Sequence, residues 1–498
     1  MPPERLFENK APKACRHCRL HKRRCDKKLP SCSTCSSKWT RCEYDDDTAL
    51  LETVEPDTEL KWSEPLAIRR FLCGLELTPA GGKQLLWTVC QAKGPWNREP
   101  DSKTVMGLVK DIFSYGGTTV EQVTAEYFAK VHEWMPIVDK ATVMSELDSI
   151  SLLGYTGPRD DSLALLLLCM DMVNHHCRHP NHGPNNTLYR TTRRLFSLVE
   201  TSGYPHLLAK LQAGLLLTTY ECGHGMVVEA SLTLATCLGL VRQLDMSALQ
   251  SSATGKAPYN SSRNLCWAAI VFLDRAITLS CPDGTATLLI PTRELLPYDL
   301  IPYVTEVNST EVNTETKFQA RVYAALCIGE ALTAVQGVPD APGCAAAEKL
   351  LHDLVRQHAE TSDNKDIYPV CEGMAMALSA VVSLYKRRVK DPGSAADAKL
   401  TLDIKFAYNI AFAMCRVEGV LIKKRKGSHA HRLCFSGLSC LYRAAVDLDE
   451  ICPNGSSPED FKQLRENLKW FSRHWTVADR LLWRNTCNWR ERVLPRPF

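Results

Sequence analysis

From about residue 122 onward, apolar residues recur at the three-and-four spacing of amphipathic helices. EQVTAEYFAKVHEW sets Val123, Tyr127, Val131 and Trp134 on one stripe, and Pro136 follows its end. Asp160, Asp161 and Ser162 then open LALLLLCMDMVNHH, a run apolar on nearly every side. It predicts a buried helix with its acids at the dipole's favoured end. Residues 207–222 and 227–244 read as a helical pair about the turn Gly223-His224-Gly225, and 265–280 as a helix ended by Pro282-Asp283-Gly284. Further helices are expected near 318–336, 344–359, 369–389, 397–423, 429–449 and 459–492. Strand alternation is nearly absent, and the spacing of the helices is not a sequence repeat, which argues against a solenoid. The pattern predicts an all-α body of helix pairs over 121–498.

Ahead of that body the texture changes. Residues 62–120 break into short apolar pieces around GGK, KGPWNREPDS and SYGGTT, and predict one or two short helices among loops. Residues 43–60 carry the acids Glu43, Asp45, Asp46, Asp47, Glu52, Glu55, Asp57 and Glu59. Leu50, Leu51, Val54 and Leu60 do not make a heptad seam there, and Pro56 interrupts them. We read 45–120 as an acidic linker and connecting region; an activation segment is the alternative to a solvated linker.

At 498 residues with 45% hydrophobic and 23% charged residues, the chain is globular and long enough for more than one unit. The net charge of +4 hides an asymmetry. Residues 1–44 hold twelve Lys/Arg against four Asp/Glu, a net of +8, and the remainder is slightly acidic. A small basic head on an acidic body predicts a polyanionic partner for the head alone. The opening MPPERLFENKAPKAC has no apolar signal-peptide core, and most of the 22 cysteines sit in apolar helical text, where free Cys acts as a small hydrophobe. A reducing compartment and reduced thiols are expected. The runs 163–170 and 373–385 fall short of the ~18 residues a spanning helix needs, so no membrane is expected.

The head contains the sharpest chemistry. Cys15, Cys18, Cys25, Cys32, Cys35 and Cys42 fall at C-x2-C-x6-C-x6-C-x2-C-x6-C. Zinc takes four thiolates in a tetrahedron. Six cysteines complete two such sites only if two sulfurs bridge both ions, and two C-x2-C knuckles, each with a further Cys six residues on, suit that sharing. Pro30 lies in the turn between the halves. Arg19, Lys22, Arg23, Arg24, Lys27 and Lys28 cluster in or just after the first half, where Lys and Arg can donate to phosphates or to guanine edges. A purely structural metal or disulfide knot is the alternative.

This stretch resembles the fungal Zn₂Cys₆ binuclear cluster, the DNA-binding module of fungal transcription factors. The resemblance implies two zinc ions bridged by the first and fourth cysteines, here Cys15 and Cys32, with Cys18, Cys25, Cys35 and Cys42 completing the set. It also implies that the first helix enters the DNA major groove. Lys22, four residues past the second cysteine, would then read a CGG-type triplet beside Arg19, His21, Arg23 and Arg24. The family often has a second lysine where this chain has His21. Farther on, YFAKVHEWMPIVDK, LAKLQAGLLLTTYECGHG, CWAAIVFLDRAITL and HWTVADRLL resemble ordered landmarks of the family's all-α regulatory middle domain.

Other signals are weaker. His175, His176, Cys177, His179 and His182 offer a second metal site, against the plainer reading of histidines at a helix C-terminus before Pro180. Lys423-Lys424-Arg425-Lys426 and the cluster's own basic run are candidate nuclear import signals. Trp470, Phe471, Trp475, Trp483 and Trp489 are expected to pack in the core. No phosphate loop, nucleophile elbow or zincin motif is present, so no enzyme is expected. The expectation is therefore a mostly α, nuclear, zinc-dependent activator of RNA polymerase II genes. Its partners would be double-stranded DNA and the transcription machinery, and its targets a secondary-metabolite gene cluster or a nutrient-use pathway. A ligand-sensing or scaffolding regulator with vestigial DNA binding is the alternative. Monomeric binding and dimerisation through the body both stay open.

Overall fold

A computed structural model describes residues 13–28, 32–37, 105–153, 158–174, 187–199, 204–252, 260–280, 287–291, 295–297, 300, 304, 314–336, 349, 352–353, 356, 368–389, 398–424, 435–452, 457–473 and 475–482. The chain forms two compact units, Met1–Ala67 and Ile68–Phe498. Among the described residues the regular structure is helical. The first unit contains α1 (Arg16–Leu20) and α2 (Ser33–Ser37). The second contains α3 (Val105–Tyr115), α4 (Val120–Lys130), α5 (Lys140–Leu153), α6 (Pro158–Asn174), α7 (Thr187–Leu198), α8 (Tyr204–Gly223), α9 (Val227–Ser252) and α10 (Asn260–Ser280). It continues with α11 (Thr314–Gln336), α12 (Tyr368–Val389), α13 (Ala398–Lys424), α14 (Phe435–Ile451) and α15 (Pro458–Ser472).

Local chemistry explains several boundaries. Thr119 Oγ1 accepts the Gln122 N–H at 3.2 Å while Gln122 Oε1 accepts the Thr119 N–H at 3.1 Å, a reciprocal cap that starts α4. Ser457 caps α15, with Pro458 at its first position and Glu459 and Asp460 in its first turn. The expected stripe Val123, Tyr127, Val131 and Trp134 is buried. So is the whole run Leu163 to Met170 of α6.

Helix α8 is the centre of the larger core. It packs against α6, α9 and α10, and α10 passes the core on to α11 and α14. Beyond them α12 lies on α14, and α13 on α14 and α15. Buried polar groups tie the layers together. Arg321 of α11 donates to the Trp134 carbonyl at 3.0 Å, and Gln212 of α8 to the Ile137 carbonyl at 2.7 Å. These two bonds hold the segment after α4 across the bundle. Asp274 accepts the N–H groups of Leu289 and Ile290, and its neighbour Arg275 donates to the carbonyls of Ile290 and Ala325. The LDR triplet thus pins a loop to two helices.

Four expectations meet differences. Helix α3 is one of the short helices expected within 62–120, but it is no mere connector: Val105, Val109, Ile112 and Phe113 join the core. Helices α5 and α7 were not anticipated. The helix expected over 459–492 ends at Ser472 and resumes at 477 among the described residues. Between the two pieces Trp475 leaves the helical path to cover Gly223, where a Cβ would collide with its ring, and Gly225 completes that turn at φ +70°. Finally, one run does reach spanning length, Val227–Asp245, with 19 residues at mean hydropathy 1.3. Its Ala230, Leu234, Cys237, Val241 and Leu244 are buried within this core.

Trp470 and Trp475 pack partly buried against the core and Phe471 is fully buried, as expected; Trp483 and Trp489 lie outside the described residues. The 13 cysteines whose side chains are described are all free thiols, and Cys169, Cys222, Cys237, Cys266, Cys327, Cys415 and Cys440 are buried within the apolar body.

Candidate metal centre and nucleic-acid interface

The first unit repeats one local design. Cys15 caps α1, its Sγ accepting the Cys18 N–H at 3.5 Å. Cys32 precedes α2 and does the same for the Cys35 N–H at 3.4 Å. Each C-x2-C pair thus sits at the head of a short helix with both sulfurs turned to one side.

The two knuckles meet sulfur to sulfur. Cys15 Sγ lies 3.7 Å from Cys32 Sγ and 3.6 Å from Cys35 Sγ, and Cys18 Sγ lies 3.7 Å from Cys32 Sγ and 4.0 Å from Cys35 Sγ. With zinc–sulfur bonds of about 2.3 Å, the edge of a ZnS₄ tetrahedron is about 3.8 Å. The spacing therefore fits zinc. Among the described cysteines, Cys15, Cys18, Cys32 and Cys35 form one buried four-sulfur group, and Cys25 packs on it, touching Cys15 and Cys32. Cys42 lies outside the described residues.

Burial, and then the sulfurs of Cys15, Cys32 and Cys35, push the Cys18 thiol well above its ordinary value. Burial works to raise the Cys25 thiol too, but hydrogen bonds from the backbone of Cys15 and Lys27 and from the Cys32 and Cys15 sulfurs bring it down to about 7. Sulfurs this crowded cannot all ionise unless cations take the place of the protons.

Asp26 joins the halves. Its carboxylate accepts the Ser33 N–H at 3.0 Å and the Ser33 hydroxyl at 2.5 Å, at the first residue of α2. The Ser33 hydroxyl bond is also the main reason its carboxyl lies below the usual range. Thr34 Oγ1 adds a bond to the Arg24 carbonyl at 2.8 Å. Nothing in the sequence marks Asp26 for this role, since an Asp seven residues before a Ser carries no periodic signal.

Helix α1 ends in a Schellman turn. The Arg23 N–H reaches the Cys18 carbonyl at 2.8 Å and the Lys22 N–H the Arg19 carbonyl at 3.1 Å. Lys22 occupies the left-handed position of this turn at φ 48°, where glycine is usual. Arg19, His21, Lys22, Arg23 and Arg24 are all exposed, so every sequence-predicted contact residue reaches the surface within six positions. The His21 ring packs on His17, centroids 4.5 Å apart.

Paired cysteine knuckles beside an exposed basic stretch make a candidate zinc-cluster module. Residues 13–49 match the fungal Zn(2)-Cys(6) binuclear cluster domain. Over 119 residues the chain is 34% identical to transcription factor BOA15 of Botryotinia fuckeliana (strain B05.10), a match spanning 24% of this chain and 63% of that protein. No solved structure matches the chain.

The histidine group His175, His176, Cys177, His179 and His182 lies outside the described residues, as do Pro30, the acidic stretch 43–60, Arg425 and Lys426. Helix α13 ends at Lys424, so the basic run begins at its last turn.

Proposed function

We propose that the chain is a nuclear, sequence-specific DNA-binding regulator of RNA polymerase II transcription, working as an activator. Cys15, Cys18, Cys25, Cys32, Cys35 and Cys42 would hold two zinc ions, which would brace this small unit. Lys22, with Arg19, His21, Arg23 and Arg24 on and just after α1, would face the major groove of a CGG-type element. Phosphate contacts by the arginines supply most of the affinity and make it salt-sensitive, and Lys22 supplies base preference. The helical body carries regulation and contacts with the transcription machinery. A secondary-metabolite gene cluster is the target class we favour.

The observation that carries this reading is the pairing of a sulfur cage of tetrahedral spacing with five exposed contact residues on and just after the helix it anchors. The test uses the zinc-loaded full chain, titrated with CGG-containing and scrambled duplexes in competition. A clear preference for CGG is expected. Lys22→Ala should lower that preference about tenfold to a hundredfold, the worth of one good base contact, with two zinc ions retained. Equal binding to both duplexes would favour a regulator with vestigial DNA binding, and loss of zinc in the variant would mean that Lys22 is structural.

A further inference from the structure

A groove of about 410 Å³ opens beside α7, lined by Tyr189, Arg190, Arg193, Arg194, Ser197 and Glu229. Three of its six lining residues are arginines, all within five positions of one helix. Arg190 is exposed, and Arg193 and Arg194 are half-buried. One wall is anchored from inside the protein. The Tyr189 hydroxyl donates to Glu221 Oε1 at 2.8 Å and accepts from Arg193 Nη1 at 3.3 Å, and Arg193 Nε lies 3.7 Å from the same carboxylate oxygen. Glu221 is fully buried. The Tyr189 ring stacks on Tyr220, centroids 5.5 Å apart, so this wall is also braced by α8.

We propose that this groove binds a small organic polyanion, a compound carrying two or more carboxylate or phosphate groups. The volume lies in the range of small-molecule sites. Guanidinium groups pair with carboxylate and phosphate in a planar, two-point fashion, and three on one helix suit an anion with more than one acidic group. Arg193 is held by Glu221 and Tyr189, which orients it before a ligand arrives. Glu229 in the lining disfavours an extended anionic surface such as nucleic acid and favours a compact ligand that avoids it. The site is independent of the DNA reading, because it lies wholly within the helical body.

The test measures calorimetric binding of citrate and of inorganic pyrophosphate to the full zinc-loaded chain at constant ionic strength, with acetate as the monovalent control. Saturable binding of one polyanion per chain, with acetate at least tenfold weaker, is expected. R190Q/R194Q should weaken it at least tenfold, while R356Q, on a separate exposed stretch, should not change it. Tighter citrate binding would identify a polycarboxylate ligand and tighter pyrophosphate binding a phosphate ligand. No saturation with either, or binding untouched by R190Q/R194Q, would overturn the proposal. Both variants are checked for unchanged helical content, so that a folding failure is not read as lost binding.

Discussion

The two units of this chain fold by different physics. Between Cys15 and Cys35 the buried cluster consists of cysteine sulfurs, with no aliphatic or aromatic side chain fully enclosed among the described residues. In the body, buried leucines, valines and aromatics run as one continuous cluster from Val105 to Leu481. A described segment with so little apolar surface to bury does not meet the conformational entropy of folding without help. Zinc held by its sulfurs would supply that help, while the body is held by the burial of apolar surface. The basic contact residues ride on the unit whose shape depends on an ion.

The strongest way to break the comparison is to remove the metal. Structural zinc binding contributes about 10–16 kcal/mol in small zinc domains. Cys32→Ala deletes a sulfur that touches Cys15, Cys18, Cys25 and Cys35 among the described cysteines. It should reduce bound zinc from two ions toward none and abolish DNA binding. Far-UV circular dichroism of the full chain should barely change, because α1 and α2 contribute ten helical residues together. Retention of both ions would show that Cys32 is not shared.

The converse change strikes the body. Phe272 is fully buried on α10 and meets Phe318 of α11 edge to face, with centroids 6.0 Å apart. Phe272→Ala should cost about 3–5 kcal/mol in denaturant unfolding through lost burial and the cavity left behind. Zinc content should stay at two. If zinc is lost as well, the units are coupled and the comparison is too sharp.

How far the sequence alone reveals these units follows from the same physics. Ligand spacing is a strong local signal, because a knuckle needs two residues between its cysteines, so the sulfur cage was readable residue by residue. The Asp26–Ser33 clasp was not, since an Asp and a Ser seven apart carry no periodic mark. Nor was the left-handed backbone of Lys22, which a glycine would have advertised. In the body, runs such as Leu163 to Met170 declare burial by themselves. TLYRTTRRLFSL has no such run; its signal is periodic instead, with Tyr189, Leu195 and Phe196 on a buried face and Arg190 and Ser197 on an exposed one, so α7 is legible only from its spacing. The break after Ser472 depends on Trp475 meeting Gly223 some 250 positions away in sequence, a contact no local pattern contains.

A smaller effect concerns the charge that the body buries. Burial first, opposed by the hydrogen bonds of Thr233 and Tyr189 and by Arg193, raises the Glu221 carboxyl from 4.5 to about 7. Arg193 and Tyr189 face it from α7, Thr233, Glu229 and Cys237 from α9, and Cys169 from α6. With a folded value above the unfolded one, the native state holds its proton longer. Stability therefore falls as pH rises from about 4.5 to about 7 and then levels off. The full difference is about 3 kcal/mol. Glu221→Gln keeps a carbonyl for the Tyr189 hydroxyl and removes the titration. Its unfolding free energy should exceed the parent's at pH 8 and match it near pH 4, with a flatter slope between. Equal slopes in parent and variant would assign the charge burial elsewhere.

The smallest effect separates shape from recognition in the cluster itself. A non-glycine residue in the left-handed region costs roughly 1 kcal/mol relative to glycine, and Lys22 stands there at φ 48°. Lys22→Gly and Lys22→Ala both remove the ammonium group, yet only glycine relieves the backbone. Both variants should lose the CGG preference to the same extent. Their apparent zinc affinities should differ, with Lys22→Gly binding zinc as tightly as the parent or several-fold tighter, and Lys22→Ala no tighter than the parent. Competition against a chromophoric chelator reads that difference directly. If the two variants bind zinc equally, the turn at Lys22 stores no strain, and its conformation follows from the metal cage alone. If glycine keeps the CGG preference that alanine loses, backbone geometry rather than the lysine side chain sets recognition.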